Sequence, residues 1–453
     1  MGQAIWACFR VVFGYTIIDP IVVILGTLLA AYYLIRMPIR LLAFLPAALS
    51  VYFFIPTFTF ITLWQIVPSL IIIWLIIGQR LALSRPINML MVFAILAIAW
   101  ALSIALTLGE DPTRAILRLV YYAGALGVAI FCYVMGRSPK AYRLFLRGLV
   151  ATGIIFAFYG LYQVAAATTG LPYRGIVRGI AFAQAAYESG VFRINSFASE
   201  PKRLGYILFV CGLACWFHKP DNKNTKIRLQ FSSICIFGVS FFTISASYYI
   251  AVLGTIAGSL VLFDTKVNKL FYYLGAAGVI SLIAFSDSDI WGALELGLNR
   301  RLVEIEVGAD GQRVYRQEFF AWKFVDSHPV DTLLGTGLGQ YYSRLHFEYG
   351  IGAGMTPRGE LFPLNSNALE LVLEFGAIFT LVFYLGLAKL IWRLRNAKEH
   401  FLSISVMFLA IHSFTVVTFL FIAMFSGIGL GRLQYARSRQ IEKNRPPPRT
   451  RLA

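Results

Sequence analysis

The sequence predicts an all-α polytopic membrane protein with about twelve transmembrane helices, and three observations carry that prediction. Hydrophobic residues make up 58% of the chain, mean hydropathy is +0.71, and charged residues are only 14%. That is too little charge to coat a soluble protein of 453 residues. Apolar runs close to the roughly 20 residues of a membrane crossing recur from end to end, where an outer-membrane barrel would show short alternating segments. Basic residues also collect in alternate connections, as the cytoplasmic loops of membrane proteins do.

In chain order the apolar runs fall at about 17–35, 41–56, 58–78, 88–108, 117–136, 143–166, 203–217, 230–246, 247–263, 268–286, 366–392 and 401–431. Arg36 and Arg40 mark the first connection, Arg80 and Arg85 the third, and Arg137, Lys140, Arg143 and Arg147 the fifth. Lys219, Lys223, Lys226 and Arg228 mark the seventh, Lys266 and Lys269 the ninth, and Arg393, Arg395 and Lys398 the eleventh. The fourth connection balances Glu110 and Asp111 against Arg114 and Arg118. Odd connections therefore read as cytoplasmic, and two long loops, 167–202 and 287–365, as facing outward. Residues 432–453 carry seven arginines and lysines and the run Pro446-Pro447-Pro448, which reads as a disordered cytoplasmic tail. Two points stay open: whether 1–16 lies at the interface or crosses, and whether 401–431 crosses once or twice. Arg10 breaks the first apolar stretch, so no cleavable leader is read.

The net charge of +18 follows from these loops and needs no nucleic acid. Cys8, Cys132, Cys211, Cys215 and Cys235 all lie in apolar segments, where cysteine packs as a small hydrophobe. Neither a metal site nor a cofactor is expected. Asp287 and Asp289 lie beside a span end but lack convergent partners.

The largest polar interruption is 287–365, far beyond the roughly 12–15 residues at which loops are usually functional or disordered. Its pattern from Gln312 to Asp326 predicts an amphipathic helix bearing Arg313 and Arg316, ended by His328-Pro329. The glycines of LLGTGLGQ suit a tight backbone path better than a nucleotide site, since no strand precedes them. Asn365, Ser366 and Asn367 are N-cap types and predict a helix start. Glu370 and Glu374 follow at i, i+4, a like-charge pair that costs stability unless a cation sits between them. In the first outer loop Arg174, Arg178, Arg193, Glu200, Lys202 and Arg203 crowd towards the span that begins near residue 203. Snorkelling to head groups explains one or two such side chains, and for the cluster the pattern leaves snorkelling and anion binding both open.

RINSFASEP before a span, an arginine-bearing helix running into SHPVDTLLGTGLGQY, and PLNSNALELVLEFG opening the next span together resemble the bacterial O-antigen ligase and polysaccharide polymerase superfamily. The similarity covers roughly residues 120–430 and rests on order and spacing more than on any single motif. It implies a GT-C-like glycosyltransferase of the bacterial inner membrane with a large, partly helical periplasmic loop. The donor would be an undecaprenyl-diphosphate-linked oligosaccharide, and a flippase and a chain-length regulator of the same pathway would be partners. By position, Arg193 matches the family's first pyrophosphate-contacting arginine, and Arg316 or Arg313 the second. Arg174, Arg178, Lys202, Arg203, Asn365 and Asn367 would line the substrate, and Glu360 or Glu370 would serve as base on position alone. Ligase-type members carry His-Asn where this chain has Asn365-Ser366, which favours a polymerase over a ligase acting on lipid A core. His328 and His346 do not fall at that position. A transporter is the competing class, and it predicts ionisable or broken helices within the membrane.

Overall fold

The computed structural model of the protein describes residues 18–51, 54–55, 61–77, 85–109, 111–169, 171, 187–188, 191–198, 200–218, 220, 222–263, 305–307, 313–315, 317–349, 364 and 366–443. Within them the protein is helical apart from three two-stranded antiparallel hairpins. Four helices are long and apolar enough to cross a membrane: Pro112–Gly136, Pro139–Thr169, Ala377–Asn396 and Phe419–Ile441. Large apolar side chains such as Leu28, Leu96, Phe158, Leu253 and Leu381 stand exposed on helix flanks, as a lipid solvent allows and water does not. This is a helical membrane protein.

The first half contains α1 (Ile18–Arg36), α2 (Pro38–Ser50), α3 (Leu63–Ile77), α4 (Arg85–Leu108), α5 (Pro112–Gly136) and α6 (Pro139–Thr169). The pairs β1–β2 (Phe54–Ile55, Ile61–Thr62) and β3–β4 (Tyr187–Glu188, Val191–Phe192) interrupt it. Next come α7 (Pro201–Phe217), α8 (Lys223–Phe241) and α9 (Ala246–Leu262). The polar region holds β5 (Ile305–Val307), β6 (Arg313–Tyr315), α10 (Gln317–Ser327), α11 (Pro329–Leu334) and α12 (Tyr341–Tyr349). The chain ends in α13 (Asn367–Phe375), α14 (Ala377–Asn396), α15 (His400–His412) and α16 (Phe419–Lys443). The expected span 268–286 lies outside the described residues.

Helix α7 is buried along almost its whole length, so it reads as a core helix that is apolar on every side. The tightest pairing joins α5 to α16 through small residues. A Cβ at Gly136 would meet the Ile428 carbonyl at 2.9 Å, and one at Gly431 the Tyr133 carbonyl at 2.5 Å. Backbones that close require glycine at the crossing.

Four expectations change. The run 366–392 is two helices, because Gly376 adopts φ +88° and ends α13 before α14 starts. The run 401–431 is likewise two helices joined by a turn at 413–418, and α15, with 13 residues, is short for a crossing. The basic tail does not begin as disorder at residue 432, since α16 stays helical to Lys443. Residues 444–453 lie outside the described residues. Finally, Arg313 sits on a strand: β6 pairs with β5 in the register Val307↔Arg313 and Ile305↔Tyr315, and helix starts only at Gln317.

Candidate functional site

Local sequence chemistry builds the site from three directions. Ser366 caps α13, its hydroxyl accepting from the Leu369 N–H at 3.1 Å. This places Glu370 and Glu374 on one face of the helix, both buried, with Glu374 fully so. The cation that such a pair requires is Arg118, from the second turn of α5. Its Nε–H donates to Glu374 at 2.7 Å and its Nη2 reaches Glu370 at 2.5 Å. Two tyrosines complete the cluster: Tyr122 donates to Glu374 at 2.6 Å, and Tyr341 to Glu370 at 3.1 Å. The guanidinium also lies over the rings of Tyr121 and Tyr122, at 5.3 and 5.2 Å.

The glycine segment 335–340 closes over this cluster and is buried throughout. Thr336 donates its N–H to the Leu373 carbonyl at 2.6 Å, Leu338 donates to Ala101 at 3.1 Å, and the Gly339 N–H donates to Glu374 at 3.1 Å. Gln340 exchanges bonds with the backbone of Asp111, at 2.9 and 3.2 Å. Gly335 has φ +88°, and a Cβ there would meet the Glu374 carbonyl at 2.6 Å. The tight path expected of these glycines is present, and its purpose is to bring backbone against α13.

The third direction is the head of α7. Gln163 of α6 binds the motif before it: its amide donates to Asn195 at 2.9 Å, and its carbonyl accepts from the Ser196 N–H at 2.7 Å. Ser196 takes φ 49°, a left-handed turn that aims the chain into α7. Arg193 is held by its Nε–H donating to the Thr243 carbonyl at 3.2 Å. Burial lowers its pKa from the ordinary arginine value, and the nearby Glu200 carboxylate opposes that shift. It stays charged, as arginine does. Lys202 pairs with Glu200 at 2.9 Å.

These directions meet. The Tyr206 ring packs on His412 with centroids 5.6 Å apart, and the Ser413 carbonyl accepts from Ala368 in the first turn of α13 at 3.3 Å. Arg193, Lys202 and Arg203 thus stand before and at the head of α7, and Glu370 in the first turn of α13.

Other expected residues stand differently. Arg174, Arg178, Arg316, Glu360 and Asn365 lie outside the described residues, as does the side chain of Arg313. Asn367 is buried, and in the amide orientation that satisfies it, its carbonyl accepts from the N–H groups of Phe419 at 2.9 Å and Thr418 at 3.1 Å. It caps α16. Glu370 is buried, and its Oε1 is bonded by both Arg118 and the Tyr341 hydroxyl. Sequence reasoning missed Arg118 as a site residue. The signal was present: Arg114 and Arg118 repeat the i, i+4 spacing of Glu370 and Glu374 with opposite charge.

No protein-family model matches the chain, and no curated protein matches it.

Proposed function

We propose that this protein polymerises oligosaccharide repeat units carried on undecaprenyl diphosphate, at the outer face of the bacterial inner membrane. The supporting observation is convergence. Two of the motifs, LLGTGLGQY and PLNSNALELVLEFG, close around one buried polar centre bonded to Arg118, and RINSFASEP leads into α7, whose Tyr206 packs on His412 next to the residue that bonds the first turn of α13. Nothing in a bland bundle of lipid-facing helices requires that meeting.

In the reaction, the bond from the anomeric carbon to the diphosphate oxygen breaks, and its electron pair leaves with the lipid diphosphate. A sugar hydroxyl of the acceptor bonds to that carbon and loses its proton. Charge grows on the departing diphosphate, and arginine suits it with a planar fork that donates two parallel bonds and never deprotonates. Arg193, oriented by Thr243, carries that role, with Lys202 and Arg203 adding charge at the same mouth. Arg316 would supply the second arginine. This chemistry is metal-independent. About twelve spans, with outward loops at 167–202 and 287–365, belong to the same proposal.

One observation favours a second reading. A helix broken at Gly376, with the half-buried Arg118 and the buried Glu370 and Glu374 beside the break, is also how a transporter builds an ion path. Against it, these charges satisfy one another. Deleting the protein separates the readings. A polymerase deletion leaves single lipid-linked repeat units and no long polymer. Long polymer retained on its lipid carrier would mean a ligase, and loss of solute uptake with polysaccharide unchanged would mean a transporter.

A further inference from the structure

Helix α11 is inside out. Its apolar residues Val330, Leu333 and Leu334 recur at i, i+3 and i+4 and so share one face. That face is exposed, at 66%, 48% and 40%. Its polar residues Asp331 and Thr332 are half-buried instead, the Thr332 hydroxyl donating to the Val325 carbonyl at 3.0 Å. A short helix in an aqueous loop would show the opposite pattern, because water rewards exposed Asp and Thr and penalises exposed Val and Leu.

Its neighbours say what covers it. Trp100 of α4 donates its indole N–H to the Leu334 carbonyl at 2.9 Å. Trp100 belongs to an exposed stripe on α4 that includes Val92, Ile95 and Leu96, while the opposite stripe, Ala97, Ala101 and Ala105, is buried. On the other side α14 begins at Gly376, whose backbone lies against the Leu333 carbonyl. It presents Ile378, Leu381, Val382 and Leu385 outward. The two helices touch through Phe93 and Phe379, with ring centroids 5.7 Å apart. The exposed face of α11 therefore continues a surface that α4 and α14 already present to lipid.

Depth points the same way. Trp100 precedes the end of α4 at Leu108 by eight residues, roughly 12 Å of helix at the usual rise. Helix α11 thus lies alongside α4, with Leu106 and Leu108 still exposed beyond it. Non-helical backbone is tolerated at that depth only when protein covers it. The segment 335–340 meets this condition, being wholly buried with the N–H groups of Thr336, Leu338 and Gly339 bound to α4 and α13.

We infer that α11 and the glycine segment after it form a re-entrant element, in which Val330, Leu333 and Leu334 contact the acyl chains of the bilayer and 335–340 faces the protein interior. The polar region 287–365 is then not wholly an aqueous loop: its segment 329–340 is a membrane-seated floor beneath α10 and α12. This reading needs no assumption about the reaction and stands or falls apart from it.

Spin labels test it in full-length protein reconstituted into phosphatidylethanolamine–phosphatidylglycerol vesicles, with Cys8 and Cys235 replaced by serine. Labels are placed singly at Val330→Cys, Leu333→Cys and Leu334→Cys. Leu96→Cys on α4 is the lipid reference, and Ser438→Cys on the exposed end of α16 is the aqueous one. Collision with molecular oxygen is compared with collision with the nickel complex of ethylenediamine diacetate. At residues 330 and 333 oxygen should dominate, giving a depth parameter of the same sign as at residue 96 and opposite to that at 438. Dominance of the nickel complex at both sites would put α11 in water and overturn the inference. Spectral broadening that grows with the fraction of labelled protein would show a second copy of the chain covering the face, which also overturns it. Because the three side chains stand exposed, their replacement removes little packing, and agreement among three sites guards against one misfolded variant.

Discussion

Replacing Arg118 by methionine should cost about 3–5 kcal/mol of stability, the usual consequence of removing one member of a buried ion pair and stranding the other. Here the stranded groups are two, Glu370 and Glu374, facing each other across one turn of α13 with no other cation bonded to them among the described residues. The Tyr122 and Tyr341 hydroxyls and the Gly339 N–H soften the repulsion but carry no full charge. Thermal unfolding in detergent reads the loss. A triple variant, Arg118→Met with Glu370→Gln and Glu374→Gln, should recover most of it, because a neutral cluster has no stranded charge. If the single and triple variants were equally unstable, the guanidinium would matter for its packing volume and the electrostatic account would be wrong.

Arg193→Lys should abolish most polymer formation while protein abundance stays normal. Removing one donor aimed at developing charge costs about 10²–10³ in rate, and lysine offers a point charge in place of the fork. Thr243 matters too, since its carbonyl sets the guanidinium plane through Nε, a contact whose geometry an ammonium does not reproduce. Arg193→Ala should be at least as damaging. Arg316→Lys should behave likewise, and Arg36→Lys, at the exposed end of α1, should be silent. Snorkelling predicts that lysine serves at every one of these positions. Polymer made at wild-type rates by Arg193→Lys and by Arg316→Lys would settle the matter for snorkelling.

How legible the protein was in its sequence depended on how local each signal is. Apolar runs marked α1 through α9, because an apolar helix declares itself by composition alone. The Ser366 cap was readable for the same reason. Glu370 and Glu374 announced the need for a cation, yet its identity was hidden: Arg118 lies some 250 residues upstream, and a tertiary ion pair leaves no period in the chain. The break at Gly376 vanished inside a continuous apolar run, since a positive φ is invisible to hydropathy. Arg313 was misplaced by following the amphipathic pattern one turn too far. Asp310-Gly311, flanked by alternating Ile305, Val307 and Val314, was the hairpin signal that should have outweighed it. Helix α11 escaped because three apolar residues in six say nothing about which solvent they face.

The catalytic claim is tested most directly by the purified protein in vesicles, supplied with an undecaprenyl-diphosphate-linked repeat unit from the strain's own polysaccharide. The account predicts a ladder of longer glycans still attached to lipid, with one lipid diphosphate released for each linkage formed. The ladder should be absent with Arg193→Lys at equal protein. A folded wild-type protein that leaves the repeat units unlinked, or an Arg193→Lys variant that makes the same ladder at the same rate, would contradict it.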